Sequence, residues 1–410
     1  MNFKLLLTIL PLLSGLASSA QTDPVSEPKK FGITFKGFVK SDYWYDTRQV
    51  VNSREELFLF YPKGVLPDKN GKDINAEDYV NFSPVTSRLT GIITTPDAFG
   101  AKATGVIEAD FSGVTNDDIN GFRLRHAYGK LRWKNAELLF GQFWHPMFVT
   151  EVFPNVISLN TGAPFQPFIR NPQISYTRWF GKLNVSLTAL SQRDNVNDGP
   201  SGMKAIYLRN ALVPNIHLQA QYKSGAHVLG VAGDWKKIRP RMTNAFNALA
   251  PETVSGLSAM AYWKYTRGNL VWRCKSIYGQ NLTDHLLLGG YAVHSLDTLT
   301  DQQTYVPTNH LFLWGNIQYG KKIQTGLFVG FAKNFGTGSV NTGKYYARGA
   351  DIAYLYRIAP SVSWISGPVQ VSFEPEYTVA AYGTPDAYGV VQNAAEVANL
   401  RLLLTFFYFF

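Results

Sequence analysis

Apolar and polar residues alternate along most of this chain, the period-two pattern of strands with one apolar and one wet face. From Phe31, residues Ile33, Phe35, Val39, Tyr43 and Tyr45 share one face, and Thr34, Lys36, Lys40 and Asp42 share the other. Beyond Gly100, Ala101, Ala103, Ile107, Ala109 and Phe111 oppose Lys102, Thr104, Glu108 and Asp110. Leu257, Ala259, Ala261, Trp263 and Tyr265 oppose Ser258, Tyr262, Lys264 and Thr266. Val369, Val371, Phe373, Tyr377 and Val379 oppose Gln370, Ser372, Glu374, Glu376 and Thr378. Charges gather on one face each time.

A soluble sandwich alternates too, but its strands cluster near five or six residues. These segments run to about ten residues or more, the length a tilted membrane strand requires. Aromatics mark their ends (Tyr43 to Tyr45, Trp133, Trp144, Trp179, Tyr319), as in the girdles of a barrel. Connections come in two alternating kinds. Short turns include Phe180–Lys182, Lys223–Gly225 and Ser366–Pro368, and long polar loops include Thr47–Asn81, Pro146–Pro172, Thr283–Thr308 and Gly383–Ala395. Counting them predicts an all-β, transmembrane antiparallel barrel of about sixteen strands, with fourteen or eighteen left open by the strand boundaries. Sixteen strands would enclose water where eight would be filled by side chains.

Composition agrees with that picture. Aromatics make up 14% and charged residues only 17%, against roughly 25% charged in globular chains. The single cysteine, Cys274, cannot form an internal disulfide. The first residues, MNFKLLLTILPLLSGLASSA, carry one Lys, an apolar core and small residues before Gln21, the layout of a cleaved secretory signal. The expected organisation is a signal peptide over 1–20, a short periplasmic segment over 21–30 and the barrel over 31–410. Its predicted place is the bacterial outer membrane. In the last strand Leu400, Leu402, Leu404, Phe406, Tyr408 and Phe410 form one lipid face. Phe410 is the expected signal for the barrel assembly machinery, and the strand is expected to close the ring on the first.

The stretch from Phe122, with "LRHA", a short turn, "LLFGQFW", a long loop and then "RNPQI", resembles the DcaP-like and phosphate-selective porin families. With "GFVKSDYWYDTR" near its start, the whole chain is similar to porin-like outer-membrane proteins of Bacteroidota. The resemblance implies a sixteen-stranded barrel, a homotrimer and passive diffusion of small hydrophilic solutes. It does not transfer a particular solute.

Two groups of residues are candidates for the pore. The Pro146–Pro172 connection is too apolar for a water-exposed loop, with Met147, Phe148, Val149, Phe153, Phe165 and Phe168. Folded inward it would narrow the pore, making Glu151 and Arg170 constriction candidates; packed on the rim it would not. The second group is the charged inner wall: Lys36, Lys40, Arg88, Lys102, Arg123, Arg125, Arg273 and Lys275, opposed by Glu108, Asp110, Glu374 and Glu376. Rings of charge set which ions dwell in a pore; the same charges could simply keep the wall wet. The net charge of +10 becomes +9 once Lys4 leaves, which favours anions mildly or binds anionic lipid headgroups. A channel selective for small anions or organic acids is the nearest alternative. A non-transport barrel, either an adhesin-like scaffold or an outer-membrane enzyme, is the other.

Catalysis is not expected. No Ser-containing nucleophile motif accompanies His126 or His145, and the seven His residues show no HxxxH or HxH spacing of the kind that marks zinc. Neither a metal nor a cofactor is expected. Asp117, Asp118 and DKNGKD from Asp68 could hold Ca²⁺ but read more simply as polar turns, since no Glu completes the calcium loop. The basic "RLRHAYGKLRWK" repeats at strand period and so faces a lumen; no nucleic-acid partner is expected.

Overall fold

In the computed structural model, residues 31–410 are described; the expected signal peptide and periplasmic segment lie outside the described residues. Sixteen antiparallel strands close into one barrel. They are β1 (Gly32–Asp46), β2 (Tyr79–Ser83 continued by Arg88–Thr94), β3 (Lys102–Asp110), β4 (Arg123–Arg132), β5 (Ala136–Trp144), β6 (Arg170–Phe180), β7 (Leu183–Leu190) and β8 (Asn215–Ser224). There follow β9 (His227–Ile238), β10 (Val254–Arg267), β11 (Leu270–Gln280), β12 (Gln302–Gly320), β13 (Ile323–Thr337), β14 (Ile352–Ser366), β15 (Val369–Pro385) and β16 (Val391–Phe409). Each pairs with its neighbour in sequence, and β16 returns to β1 from Phe38↔Phe409 to Asp46↔Arg401. The terminal residue completes the seam, because Gly37 and Phe410 exchange both backbone hydrogen bonds, at 3.0 and 3.1 Å. Among the described residues the barrel wall has no open edge, so the backbone can cross lipid with its polar groups paired.

Strand β2 breaks at residues 84–87. Pro84 has no N–H to give the ladder; Ser87 Oγ instead accepts from the Lys40 amide at 2.9 Å. The short turns at Gly181, Gly225, Gly268 and Gly367 place glycine at φ between 54° and 62°, where a Cβ would be strained.

The outer surface is apolar all round: Ile33, Phe35, Leu218, Val231, Leu257, Trp272, Ile323 and Trp364 are all exposed. A continuous exposed band of this kind belongs in hydrocarbon. The last five strands run to 15–19 residues, more than the roughly 9–11 a bilayer needs, so the wall stands proud of the membrane on the long-loop side. This corrects two expected loops. Gly383–Ala395 is a tight hairpin whose arms continue β15 and β16, and Thr283–Thr308 contains a strand, Gly289–Asp297, paired with the start of β12. The weak alternation of Gly383–Thr384–Pro385 and Asn393–Ala394–Ala395 hid the first.

The barrel is not an empty tube. Two long connections turn inward and form one buried cluster with the wall. The 145–169 connection buries Met147, Phe148, Val152, Phe165 and Ile169, the inward placement expected from its apolar content. The second was not expected. Within the polar 47–78 loop, Val50–Ser53 and Phe58–Pro62 pair as a hairpin, and all five residues of FLFYP are buried.

Candidate channel constriction

Strand alternation aims the polar side chains of the wall at the lumen, and the inward loop meets them one after another. Lys275 on β11 donates to the Met147 and Phe148 carbonyls at 2.8 and 2.9 Å and to Gln166 Oε1 at 2.9 Å. Lys40 on β1 donates to the Ile157 carbonyl at 3.1 Å. Glu374 on β15 accepts from the Ile157 and Ser158 amides, both at 2.9 Å, and Glu376 accepts from Asn160 Nδ2 at 2.8 Å. Arg273 bonds Asn316, which in turn takes the Asn155 amide at 3.0 Å. Glu151 pairs with Lys223 at the short-turn end of β8. The loop is therefore strapped across the lumen from β11 to β15 and β1. Wall charges expected to face a solute are here spent on backbone carbonyls and amides of the loop.

Arg357 on β14 does the same for both inward segments. Its guanidinium donates to the Ala163 carbonyl at 3.0 Å, to Leu59 and Phe60 carbonyls of the hairpin at 3.2 and 2.8 Å, and lies 3.4 Å from Glu376. Nothing in the sequence around Arg357 announced this role; the missed hairpin is its partner.

A second cluster joins β2, β3 and β4. Asp110 takes Arg123 through two bonds at 3.0 and 2.9 Å and Arg125 Nη1 at 2.7 Å. Glu108 takes Arg125 Nε at 2.8 Å and lies 3.6 Å from Arg88. Bidentate Arg–carboxylate bonding of this kind is strong and directional. Arg170, at the end of the inward loop, pairs with Asp194 and rides 4.9 Å above the Trp144 ring. Its Nε and Nη1 have no partner although both are buried. Arg54, at the tip of the hairpin, also has an unpaired buried Nε. Arg54, Arg123 and Arg170 line a cavity of about 20 Å³ together with Asp194, room for one water-sized guest. Five guanidiniums (Arg54, Arg88, Arg123, Arg125, Arg170) stand against three carboxylates (Glu108, Asp110, Asp194), leaving a local charge of +2.

Lys36 and Lys102 stand exposed near the short-turn end of the wall and do not join either cluster; their strands run past the level of the loop. Below the loop a cavity of about 310 Å³ opens among Lys130, Glu137, Gln173, Ser175, Gln221 and Lys223. It is polar on its floor and bounded above by Trp144 and Val149. The two acidic turns are used locally. Asp118 accepts from the Val114 and Thr115 amides, which hold its carboxyl below the usual range, and Asp68 is held down the same way by Lys72 and Asn70.

No protein-family model matches the chain, and no curated protein sequence matches it. Solved structures do. The chain is similar to the outer-membrane channel DcaP of Acinetobacter baumannii, with a TM-score of 0.70 and 17% identity over 93% of this chain and 97% of that one. It is similar to an anion-selective porin from Comamonas acidovorans, TM-score 0.54 and 13% identity over 93% and 100% of the two chains. The trimer form of OmpT from Vibrio cholerae gives a TM-score of 0.54 and 10% identity over 93% and 99%. At these identities the likeness is one of fold. The chain has the closed barrel of the outer-membrane porins.

Proposed function

We propose that this protein is an outer-membrane channel through which small hydrophilic solutes diffuse passively, with a mild preference for anions. The observation that carries the reading is the inward loop strapped across a sixteen-strand lumen beside a cluster of local charge +2. A strapped loop narrows a water-filled barrel without closing it by a separate domain, and the excess positive charge beside the narrowing favours negative solutes through its field. The anion selectivity named for the Comamonas relative is in keeping with that preference. Small anions or organic acids are the favoured solute class, since a guanidinium fork suits a carboxylate. Lipid, the barrel assembly machinery and two further copies of the chain are the expected partners.

The test is a planar bilayer. Purified protein should add conductance in discrete steps, grouped in threes for a trimer, and a salt gradient should give a reversal potential of the sign for anions. Folded protein with no conductance above a lipid control would end the channel reading. The packed lumen would then belong to a surface scaffold.

A further inference from the structure

At the other edge of the inward loop lies a buried group of imidazoles that the channel reading does not use. His145 begins the loop, His217 lies on β8, Asp234 on β9, and His285 in the short turn Thr283–His285 after β11. All four are buried. We propose that His145, Asp234 and His285 bind one transition-metal cation, with a water completing four ligands. Two imidazoles and a carboxylate are the donor set of Zn²⁺, taken here as the reference ion.

Three observations carry this. One nitrogen or oxygen from each of the three residues lies within 4.8 Å of the others. Four-coordinate zinc, with bonds near 2.0–2.2 Å, spaces its ligands by about 3.3 Å, a contraction that side-chain rotation can supply. Second, both ring nitrogens of His285 are buried without any hydrogen-bond partner, and its ring meets that of His145 edge-on at 4.5 Å between centroids. A neutral imidazole carries a donor and an acceptor, and leaving both unpaired inside a protein is costly. A cation taking the free lone pair relieves half of that cost. Third, the carboxylate is already oriented: Asp234 accepts from Asn215 Nδ2 at 3.0 Å and meets His217 Nδ1 at 3.1 Å, an outer shell of the kind that tunes metal ligands. The nearby Lys236 does not compete for it, being engaged by Asp284 and the Asn281 carbonyl.

The sequence could not announce the site, because its ligands come from three separate elements and share no local spacing. His145 also lines the 310 Å³ cavity below the loop. Binding is coupled to the loop. His145 Nε2 lies 3.2 Å from Asn215 Oδ1 and the Met147 amide donates to Nδ1 at 3.1 Å, so for Nε2 to ligate it must leave Asn215, its proton must pass to Nδ1, and the Met147 bond must yield. Metal occupancy therefore loosens the first turn of the constricting loop.

The test uses untagged, folded protein freed of metal by chelator. Titration calorimetry with Zn²⁺ should show one ion per chain, and Co²⁺ should give the visible absorption of a four-coordinate nitrogen and oxygen site. His285→Ala and Asp234→Asn should each weaken binding at least tenfold, in line with the 10–100-fold that even outer-shell changes cost, while His294→Ala in the Gly289–Asp297 strand should leave it unchanged. Wild-type protein that binds no stoichiometric ion would overturn the proposal, as would full binding in both variants. Should either variant misfold, X-ray absorption of zinc on wild-type protein decides instead: imidazole scattering supports the site, and its absence rejects it. Because binding is read without conductance, failure here leaves the channel reading standing.

Discussion

Arg170 is the residue at which the proposed anion preference is best tested. It is fully buried, has one carboxylate partner in Asp194 and leaves two N–H groups unpaired. Because its guanidinium is buried, a permeating ion meets this charge from about 8 Å, where a unit charge in water-like surroundings is worth about 0.5 kcal/mol, roughly twofold in local occupancy. Arg170→Gln should therefore lower the anion-to-cation permeability ratio by about twofold, and Asp194→Asn should raise it by a similar factor. Reversal potentials in a salt gradient measure both; equal ratios in all three proteins would remove Arg170 from selectivity. Arg170 could be singled out in the sequence because a charge at the end of an apolar loop has few places to go. Arg54 could not. It lies in a turn of three residues with positive φ, Arg54 to Glu56, and only the fold carries that turn to Arg170. The same holds for the purposes of Lys40, Lys275 and Glu374. Alternation told which way they point, but a backbone partner more than a hundred residues away leaves no trace in local pattern.

At the scale of elements, the strands were legible because lipid and water impose opposite demands on successive residues, and the membrane-spanning stretches largely obey. The inward loop was legible for a related reason: a loop rich in Phe and Met gains nothing in water. The 50–62 hairpin obeys that rule too, yet its short FLFYP run is diluted within a long polar loop and vanishes on averaging. What holds the inward loop is polar, and this makes it releasable. Lys275→Met leaves the Met147 carbonyl without a donor and takes one of two donors from the Phe148 carbonyl and from Gln166 Oε1, and Glu374→Gln takes the charge from two amide bonds. Each buried group left unpaired costs about 1–3 kcal/mol, charged to the loop, since the strand ladder keeps its own bonds. The double variant should still fold as a heat-resistant barrel but pass larger and noisier single-channel currents. Quiet currents of unchanged size would mean that the apolar face of the loop alone holds it in place.

For the whole molecule the decisive feature is closure, and it is reinforced from inside. Along the β1–β16 seam, Asp46 binds Arg401 through Nε and Nη2 at 3.1 and 2.7 Å and takes Asn399 Nδ2 at 2.6 Å. Two inward positions along, past Trp44, Asp42 takes Thr405 Oγ1 at 2.6 Å and lies 3.1 Å from Lys40. Phe38 packs edge-on against Phe407 and Phe409 at the short-turn end, so the terminal aromatics face inward as well as outward; only the even-numbered ones were expected to matter. The seam joins the two ends of the chain, the contact with the greatest loop to close, so it gains most from specific pairing. Removing one partner of a buried pair costs about 3–5 kcal/mol, because the other charge stays buried, whereas replacing both is far milder. Asp46→Ala should therefore lower the urea midpoint of the folded barrel markedly, and Asp46→Ala with Arg401→Met should recover much of the loss. A cycle over the four proteins isolates the pair. Additive losses would mean that backbone pairing of β1 with β16 holds the ring closed without the ion pair.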